Sequence, residues 1–440
     1  MIKLWLFTDT HLFLRAPMPE NHPNGGQKTM LESAAMLDAA LAEFLAEPDC
    51  GILLIAGDLT CDGYAGEHRA LIEKLRKVQS RGKRVILITA THDYGLDPPG
   101  GRVCRRELRG LYDEFGFGQA ISRFEDDNGM SYVAQLAGAS GGSPGCRLLC
   151  LNDDGDGRAF CGFYENQMRW IEEQIKQAKA DGEIIFGMTH HPTLPPSPIY
   201  PMVSSRDMLG DWENASRRLA DMGLRVMFTG HAHMLNIADI TTPAGNRYWD
   251  VNTSSLVGWP GVFRVIELEG RHMKVTTREI KDFAWDRQGL TVREYLARHF
   301  DRLLRELIES AAHDIDRLAD QAGGFSVEKE TIYKYRLPIT ILGKIANRIT
   351  LGGAGALLLC RRKIPKSVRG RSVKELALEL VRNIYAGEER YAPETPVGQA
   401  LLAIAGRIEL FAKKNLPAFV QSLIYDPTPD DCLEIDLSYE

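Results

Sequence analysis

The sequence predicts an α/β fold with an appended all-helical C-terminal part, and three observations predict it. Strand-type and helix-type runs alternate from residue 1 to about residue 280, the pattern of a sheet covered by helices. Five of the strand-type runs lead straight into Asp or His, and open α/β sheets bind ligands outside the carboxyl ends of their strands. Beyond that region the apolar spacing becomes helical, through Leu296, Phe300, Leu303, Leu307 and Leu318, with charges on the other face. At 440 residues the chain is long for one core. We therefore divide it into residues 1–282, α/β, and residues 283–440, helical.

The elements follow in order. Ile2–Phe7 reads as a buried strand, and Gln27 to Leu45 as a helix through Met30, Ala34, Leu37 and Leu41. Ile52–Ala56 is a strand ending at Gly57-Asp58. Helical spacing at Leu71, Leu75 and Val78 precedes a strand at Val85–Thr89, which ends at His92-Asp93. After a looser, Gly-rich stretch come a strand at Arg147–Leu151 and a helix at Glu165–Ala180. Ile184–Met188 is a strand ending at His190-His191, Trp212–Met222 a helix, and Arg225–Phe228 a strand ending at His231-x-His233. Strand-like runs at Arg247–Val251, Val262–Leu268 and Met273–Thr277 close the first region. In the second, Ser372-x-x-Glu375 is a capping box opening a helix, and Pro396 to Phe411 and Pro417 to Ile424 are helical as well. No repeat and no catalytic motif is legible there.

Composition bounds the function. Hydrophobic residues at 44% and charged residues at 25% are ordinary for a globular protein. A net charge of −6 gives no general reason to expect a nucleic-acid partner. The eight cysteines are scattered without framework spacing, which suits reduced thiols. The apolar start, Met1 to Phe7, is too short for a signal peptide, and no apolar stretch is long enough to span a membrane. A cytoplasmic protein is expected.

The chemistry lies in the strand ends. With 11 histidines in the chain, one H-x-H is expected roughly 0.3 times by chance, so Gly230-His231-Ala232-His233 proves little alone. Six of the 11 histidines, however, fall at positions 11, 92, 190, 191, 231 and 233, beside Asp9 and Asp58. Hydrolysis of a phosphate ester needs charge neutralisation on phosphoryl oxygens and a nucleophile made from water, and two metal ions supply both. Mixed imidazole and carboxylate donors suit such ions.

Taken together, Thr8-Asp9-Thr10-His11, Gly57-Asp58-Leu59-Thr60, Thr91-His92-Asp93, His190-His191-Pro192 and Gly230-His231-Ala232-His233 resemble the blocks of the calcineurin-like metallophosphoesterases. The resemblance covers about residues 1–280. Within that family it is most similar to the class III cyclic-nucleotide phosphodiesterase branch, whose bacterial members also carry a helical C-terminal part. It implies a four-layer αββα sandwich and two divalent or trivalent ions of iron, manganese or zinc. By position, Asp9, His11, Asp58 and His233 would hold the first ion, with Asp58 bridging, and His190 and His231 the second. His92 would face the substrate as general acid, and a hydroxide shared by the ions would be the nucleophile. The implied substrate is a small phosphoester, most specifically a phosphodiester such as a cyclic nucleotide.

One departure matters. The family's Asn ligand is Thr91 here. Its hydroxyl is carried on a shorter side chain, so either a water intervenes or the second ion keeps an open position, with weaker or more selective occupancy. His191 is read as substrate-binding or as support for a ligand, and Asp93 or Asp62 as orienting His92. Asn152-Asp153-Asp154 reads as a turn cluster or as a border of the pocket, Asn252-Thr253-Ser254-Ser255 as a loop or a substrate contact, and Pro192 to Pro201 as a stiff wall or a surface connection. Arg361-Arg362-Lys363, Lys366, Arg369 and Arg371 place six basic residues in eleven, a solvated loop or an anionic-lipid or nucleic-acid contact. Against the phosphodiesterase stand a weak or inactive scaffold of the same fold, for which only Thr91 speaks, and a phosphomonoesterase or nuclease. A nuclease needs a basic channel, and residues 1–282 show none. The helical part is open to roles as lid, partner platform or oligomer interface.

Overall fold

A computed structural model describes residues 1–14, 27–95, 101–124, 129–140, 142–155, 161–322, 327, 329–410 and 415–438. Its centre is two sheets. The first has the order β13-β12-β11-β1-β2-β3 and the second β4-β5-β6-β7-β8-β10-β9. The strands are β1 (Ile2–Phe7), β2 (Ile52–Ala56), β3 (Arg84–Ile88), β4 (Ser122–Arg123), β5 (Tyr132–Ala137), β6 (Cys146–Cys150), β7 (Ile184–Met188), β8 (Val226–Thr229), β9 (Asn236–Thr241), β10 (Arg247–Asn252), β11 (Val262–Glu269), β12 (His272–Glu279) and β13 (Cys432–Asp436). β1, β2 and β3 run parallel, and so do β6, β7, β8 and β10.

Alternation along the strands explains the layering. In β7, Ile184, Phe186 and Met188 join the large core between the sheets, while Ile185 turns outward to Ile171, Ile175 and Leu219. Leu148 and Cys150 of β6 likewise face inward and Leu149 outward. A period-2 strand buried on both faces puts one row on each side. Helices Glu165–Ala180 and Trp212–Met222 cover the second sheet, and Ser33–Ala46 and Ala65–Gln79 the first. The result is helix, sheet, sheet, helix: the αββα sandwich.

The second region is helical from Val292–His313 through Leu416–Ile424. Ser372 caps its helix as the capping box predicts, accepting the Glu375 N–H. The helix from Pro396 ends at Ile408, and Phe411 lies outside the described residues. The region is not helical to its end. β13 returns to the first sheet and pairs antiparallel with β12. The chain's first helical expectation also shifts. The helix expected from Gln27 begins only at Ser33, because Thr29 N–H donates to the Val257 carbonyl (2.8 Å) and Lys28 pairs with Gly258. A long-range pairing there overrides helical spacing, and it sends Gln27 and Lys28 to the site. The eight cysteines, all among the described residues, form no disulfide. Among the described residues no helix is long and apolar enough to cross a membrane.

Candidate metal centre

The strand ends of both sheets converge, and the turns that aim their side chains are strained. Asp9 (φ 52°), His11 (36°), Asp58 (49°), His231 (63°) and His233 (55°) all occupy the left-handed region. That conformation costs a non-glycine residue roughly 1–2 kcal/mol, and such strain collects where function holds it in place. Two glycines make room. A Cβ on Gly57, itself at φ 85°, would stand 2.8 Å from His190 Nδ1. On Gly230 it would stand 1.9 Å from Thr8 Oγ1 and 2.5 Å from Asp9 Oδ2.

The donors gather in two groups, Asp9 with His11 and His233, and Asp58 with His190 and His231, each with its ligand atoms within 4.8 Å of one another. In the first, His233 Nε2 is 3.2 Å from both His11 Nε2 and Asp9 Oδ1. In the second, His190 Nε2 is 3.2 Å from both Asp58 Oδ2 and His231 Nδ1. Two donors on one zinc-sized ion stand about 3.3 Å apart, so both spacings fit a shared cation. Asp58 Oδ2 also lies 3.7 Å from His11 Nε2, which sets this carboxylate between the groups.

Hydrogen bonds on the far side of the rings fix which nitrogen is free. His190 Nδ1–H donates to the Ala56 carbonyl at 2.8 Å, and His233 Nδ1–H to Gln27 Oε1 at 3.1 Å. A neutral imidazole protonated at Nδ1 presents a lone pair at Nε2. In both groups, then, a lone pair meets a carboxylate oxygen, an arrangement that calls for a positive charge between them. Protons respond to the same field. Burial opposes charge on His190, yet Asp58, Asp9 and Asp153 raise its pKa well above 6.5. Burial raises Asp9, but His233, His11 and His190 hold it well below the usual carboxylate range. The donor set fits two cations.

His92 sits in the single turn Thr91–Asp93 that follows β3. Its backbone N–H donates to Asp58 Oδ1 at 3.1 Å, and its ring lies edge-on to His11 with centroids 5.1 Å apart. Of Asp93 and Asp62, the two acids read as orienting it, Asp93 does not: its carboxylate accepts the N–H groups of Thr60 and Ala90, while His92 Nδ1–H donates to the Cys61 carbonyl (2.8 Å). Thr91 heads the same turn, half-buried, directly before His92.

His191 is buried, its ring 4.2 Å from that of His231, and its Nδ1–H donates to Asp153 Oδ1 at 3.0 Å. Asp153 is therefore no turn residue. Its other oxygen accepts from the His191 N–H and the Thr189 hydroxyl, so it buttresses the His190-His191 loop. Cys161 lies beside Asp153 and His191, its thiol pushed well above the usual range by burial and the two neighbouring aspartates. Asn252 and Ser255 are buried and work from behind the site. Asn252 Nδ2–H donates to the Gly230 carbonyl (2.7 Å) and the Ser255 hydroxyl to the Asp9 carbonyl (2.9 Å). Thr193 and Leu194, at the head of the proline-rich loop, donate their N–H groups to buried Asp250, which ties that loop to β10.

Sequence reasoning missed two features. Lys28 is buried with its Nζ 3.4 Å from His11 Nδ1; burial lowers its pKa, and Asp58, Cys61, Asp9 and Asp62 oppose this. Gln27, which holds His233, donates through Nε2 to the hydroxyl of Tyr385, 3.3 Å away, in the helix Val373–Ala386. No motif signals either, since both depend on the displaced segment before Ser33.

Two sheets whose strand ends present clustered carboxylates and imidazoles define a metal-binding α/β sandwich. The chain belongs to the calcineurin-like phosphoesterase family, whose model matches residues 2–235. A comparison with curated proteins finds no match. Among solved structures it is similar to a dimetal phosphatase from Danio rerio, at 15% identity over 66% of this chain and 98% of that one, with a TM-score of 0.46. It is also similar to a purple acid phosphatase from yellow lupin (Lupinus luteus) seeds, at 13% identity over 64% and 52%, TM-score 0.41. A third is the phosphopantetheinyl hydrolase of Mycobacterium tuberculosis, at 14% identity over 57% and 89%, TM-score 0.31.

Proposed function

We propose that this chain is a metal-dependent phosphodiesterase acting on small phosphodiesters, cyclic nucleotides being the substrates its motifs resemble. The observation that carries the reading is the pair of lone-pair-and-carboxylate groups flanking Asp58, with His92 held against the same carboxylate. Asp9, His11, Asp58 and His233 would hold one ion, and Asp58, His190 and His231 the other, iron, manganese or zinc all matching the mixed donors. Thr91, in the place of the family's Asn, is the weakest donor of the second set. Bound ions supply a nucleophile from water at neutral pH and neutralise charge on the phosphoryl group.

The chain's own residues do the rest. His92 donates through Nδ1 to the Cys61 carbonyl, and Nε2 is the ring atom that would meet a substrate. Burial and Lys28 lower its pKa well below 6.5, opposed by Asp58. An anionic phosphoryl group beside it raises that value, which favours uptake of a solvent proton that His92 would give to the leaving oxygen. An alkoxide leaving group needs such an acid, which favours ester cleavage over a scaffold role. His191, fixed by Asp153, packs on His231 and borders the substrate side. Eight cysteines without a disulfide fit a reducing compartment such as the cytoplasm.

The test is hydrolysis of bis-p-nitrophenyl phosphate by metal-stripped protein reloaded with manganese, zinc or iron. Asp58→Ala should abolish both turnover and binding of the second ion. Absence of turnover with every metal, or full turnover by Asp58→Ala, would overturn the reading.

A further inference from the structure

From Thr331 to Lys374 the chain holds eleven Lys and Arg and no Asp or Glu, while the rest carries 42 against 59. This stretch includes the helix Arg336–Ala346, which packs on Val292–His313 through Gly343: a Cβ there would stand 2.9 Å from the Ala311 and Ala312 backbone. Successive helical residues turn by about 100°. Leu337, Pro338, Ile341, Leu342 and Ile345 therefore fall within an arc of about 140° on the side away from Gly343. Their exposure agrees, at 70% for Leu337, 57% for Ile341 and 63% for Leu342. A surface helix normally turns its apolar stripe inward; this one turns it outward.

Cations follow the stripe along the chain. Lys344 and Arg348 lie within and just beyond the helix. Leu351 N–H and Gly352 N–H donate to the carbonyls of Arg371 and Arg369, both at 2.9 Å, which sets the end of the basic run 361–371 beside the start of the next helix, five residues past Ala346. Arg371 is paired with Glu379, and Lys374 with Glu309. Lys344, Arg348, Arg361, Arg362, Lys363 and Lys366 have no acidic partner among the described residues. Leu359, just before the run, sits in the left-handed region (φ 57°) with 82% of its surface exposed. Tyr333 and Tyr335, also exposed, flank the helix's start.

We propose that this face docks on an anionic lipid bilayer, the helix Arg336–Ala346 lying in the interface plane with its outward stripe among the acyl chains and the basic run over the headgroups. An apolar stripe, interfacial tyrosines and uncompensated cations are what such a surface binds. A protein partner or nucleic acid would answer the charge, but only a bilayer answers it together with a continuous aliphatic face. The inference does not depend on the metal centre.

The test is cosedimentation of the full chain with vesicles of phosphatidylcholine alone and of phosphatidylcholine with phosphatidylglycerol. The chain should pellet with the anionic vesicles only. Ile341→Glu and, separately, Arg361→Glu/Arg362→Glu/Lys363→Glu should each lower partitioning by more than about tenfold, while turnover of bis-p-nitrophenyl phosphate and the thermal melt stay as in the parent chain. A parent chain that stays in solution with both vesicle types overturns the proposal. So does binding that Ile341→Glu leaves intact. A dimer in sedimentation velocity that Ile341→Glu dissociates, or duplex-oligonucleotide binding without vesicle binding, assigns the face to another occupant and equally overturns it.

Discussion

Asp58 binds His92 by its backbone and not by its ring: Asp58 Oδ1 accepts the His92 N–H at 3.1 Å, and Asp58 Oδ2 faces His190 Nε2 at 3.2 Å. One carboxylate thus fixes the position of the proposed acid and of a proposed ligand together. The His92 ring is held at Nδ1 by the Cys61 carbonyl and not by Asp58. Replacing the ring while keeping the backbone separates the two roles. His92→Asn should lower kcat by about 10²–10⁴-fold and leave metal content, measured by elemental analysis, unchanged. Loss of metal with loss of turnover would make His92 part of the ligand framework instead.

Gly230 precedes His231 with no space for a side chain, because Thr8 and Asp9 stand where a Cβ would be. The His231 N–H also donates to Asp9 Oδ2 at 3.1 Å, so a displaced loop would disturb both groups of donors. Gly230→Ala should fold with a lowered melting temperature, at a cost of about 1–3 kcal/mol for overpacking. It should bind fewer than two ions per chain by elemental analysis. Full metal content would show that the loop can yield without moving His231.

The order of Asp and His along the chain made the donor set legible, because each sits at the end of an apolar run and residue type there reflects chemistry. Strand–helix alternation was legible in the central strands, whereas the four-layer αββα arrangement was what the family resemblance implied and not what spacing showed. Other parts were hidden. β5 lies in a stretch read as loose, and β9 and β13 are edge strands with little apolar alternation. Lys28 and Gln27 reach the site only because Thr29 pairs with Val257 across the fold, a contact that no local spacing announces. The left-handed backbone at five of the donor positions is equally silent in sequence, since glycine is its usual mark and Asp and His, though enriched among the exceptions, adopt it at only a small share of their positions.

Tyr385 ties the helical region to the proposed first ion through Gln27, at 3.3 Å on one side and 3.1 Å from Gln27 to His233 on the other. Outer partners of metal-bound histidines are worth about 10–100-fold in metal affinity. Gln27→Ala should weaken the tighter-binding ion within that range, and Tyr385→Phe should weaken it less, with no change in fold by circular dichroism. Competition with a chromophoric chelator measures both. Affinities equal to the parent's would mean that the helices do not act on His233.

Glu389 follows that helix, and burial, with Asp430 second, pushes its pKa up to about 8; its Oε2 has no hydrogen-bond partner. An unfolded Glu titrates near about 4.3. Between those values the unfolded chain has released a proton that the folded chain keeps, so stability falls as pH rises and the full contribution is present only below the lower value. Asp430, raised to about 7 by burial above all, adds a slope of the same sign. Glu389→Gln removes the larger part of it. The variant should match the parent near pH 4.5 and exceed it at pH 8 by roughly 1–3 kcal/mol, read as a higher melting temperature. Parallel curves for the two proteins across that range would show that Glu389 ionises in the folded chain as it does in water.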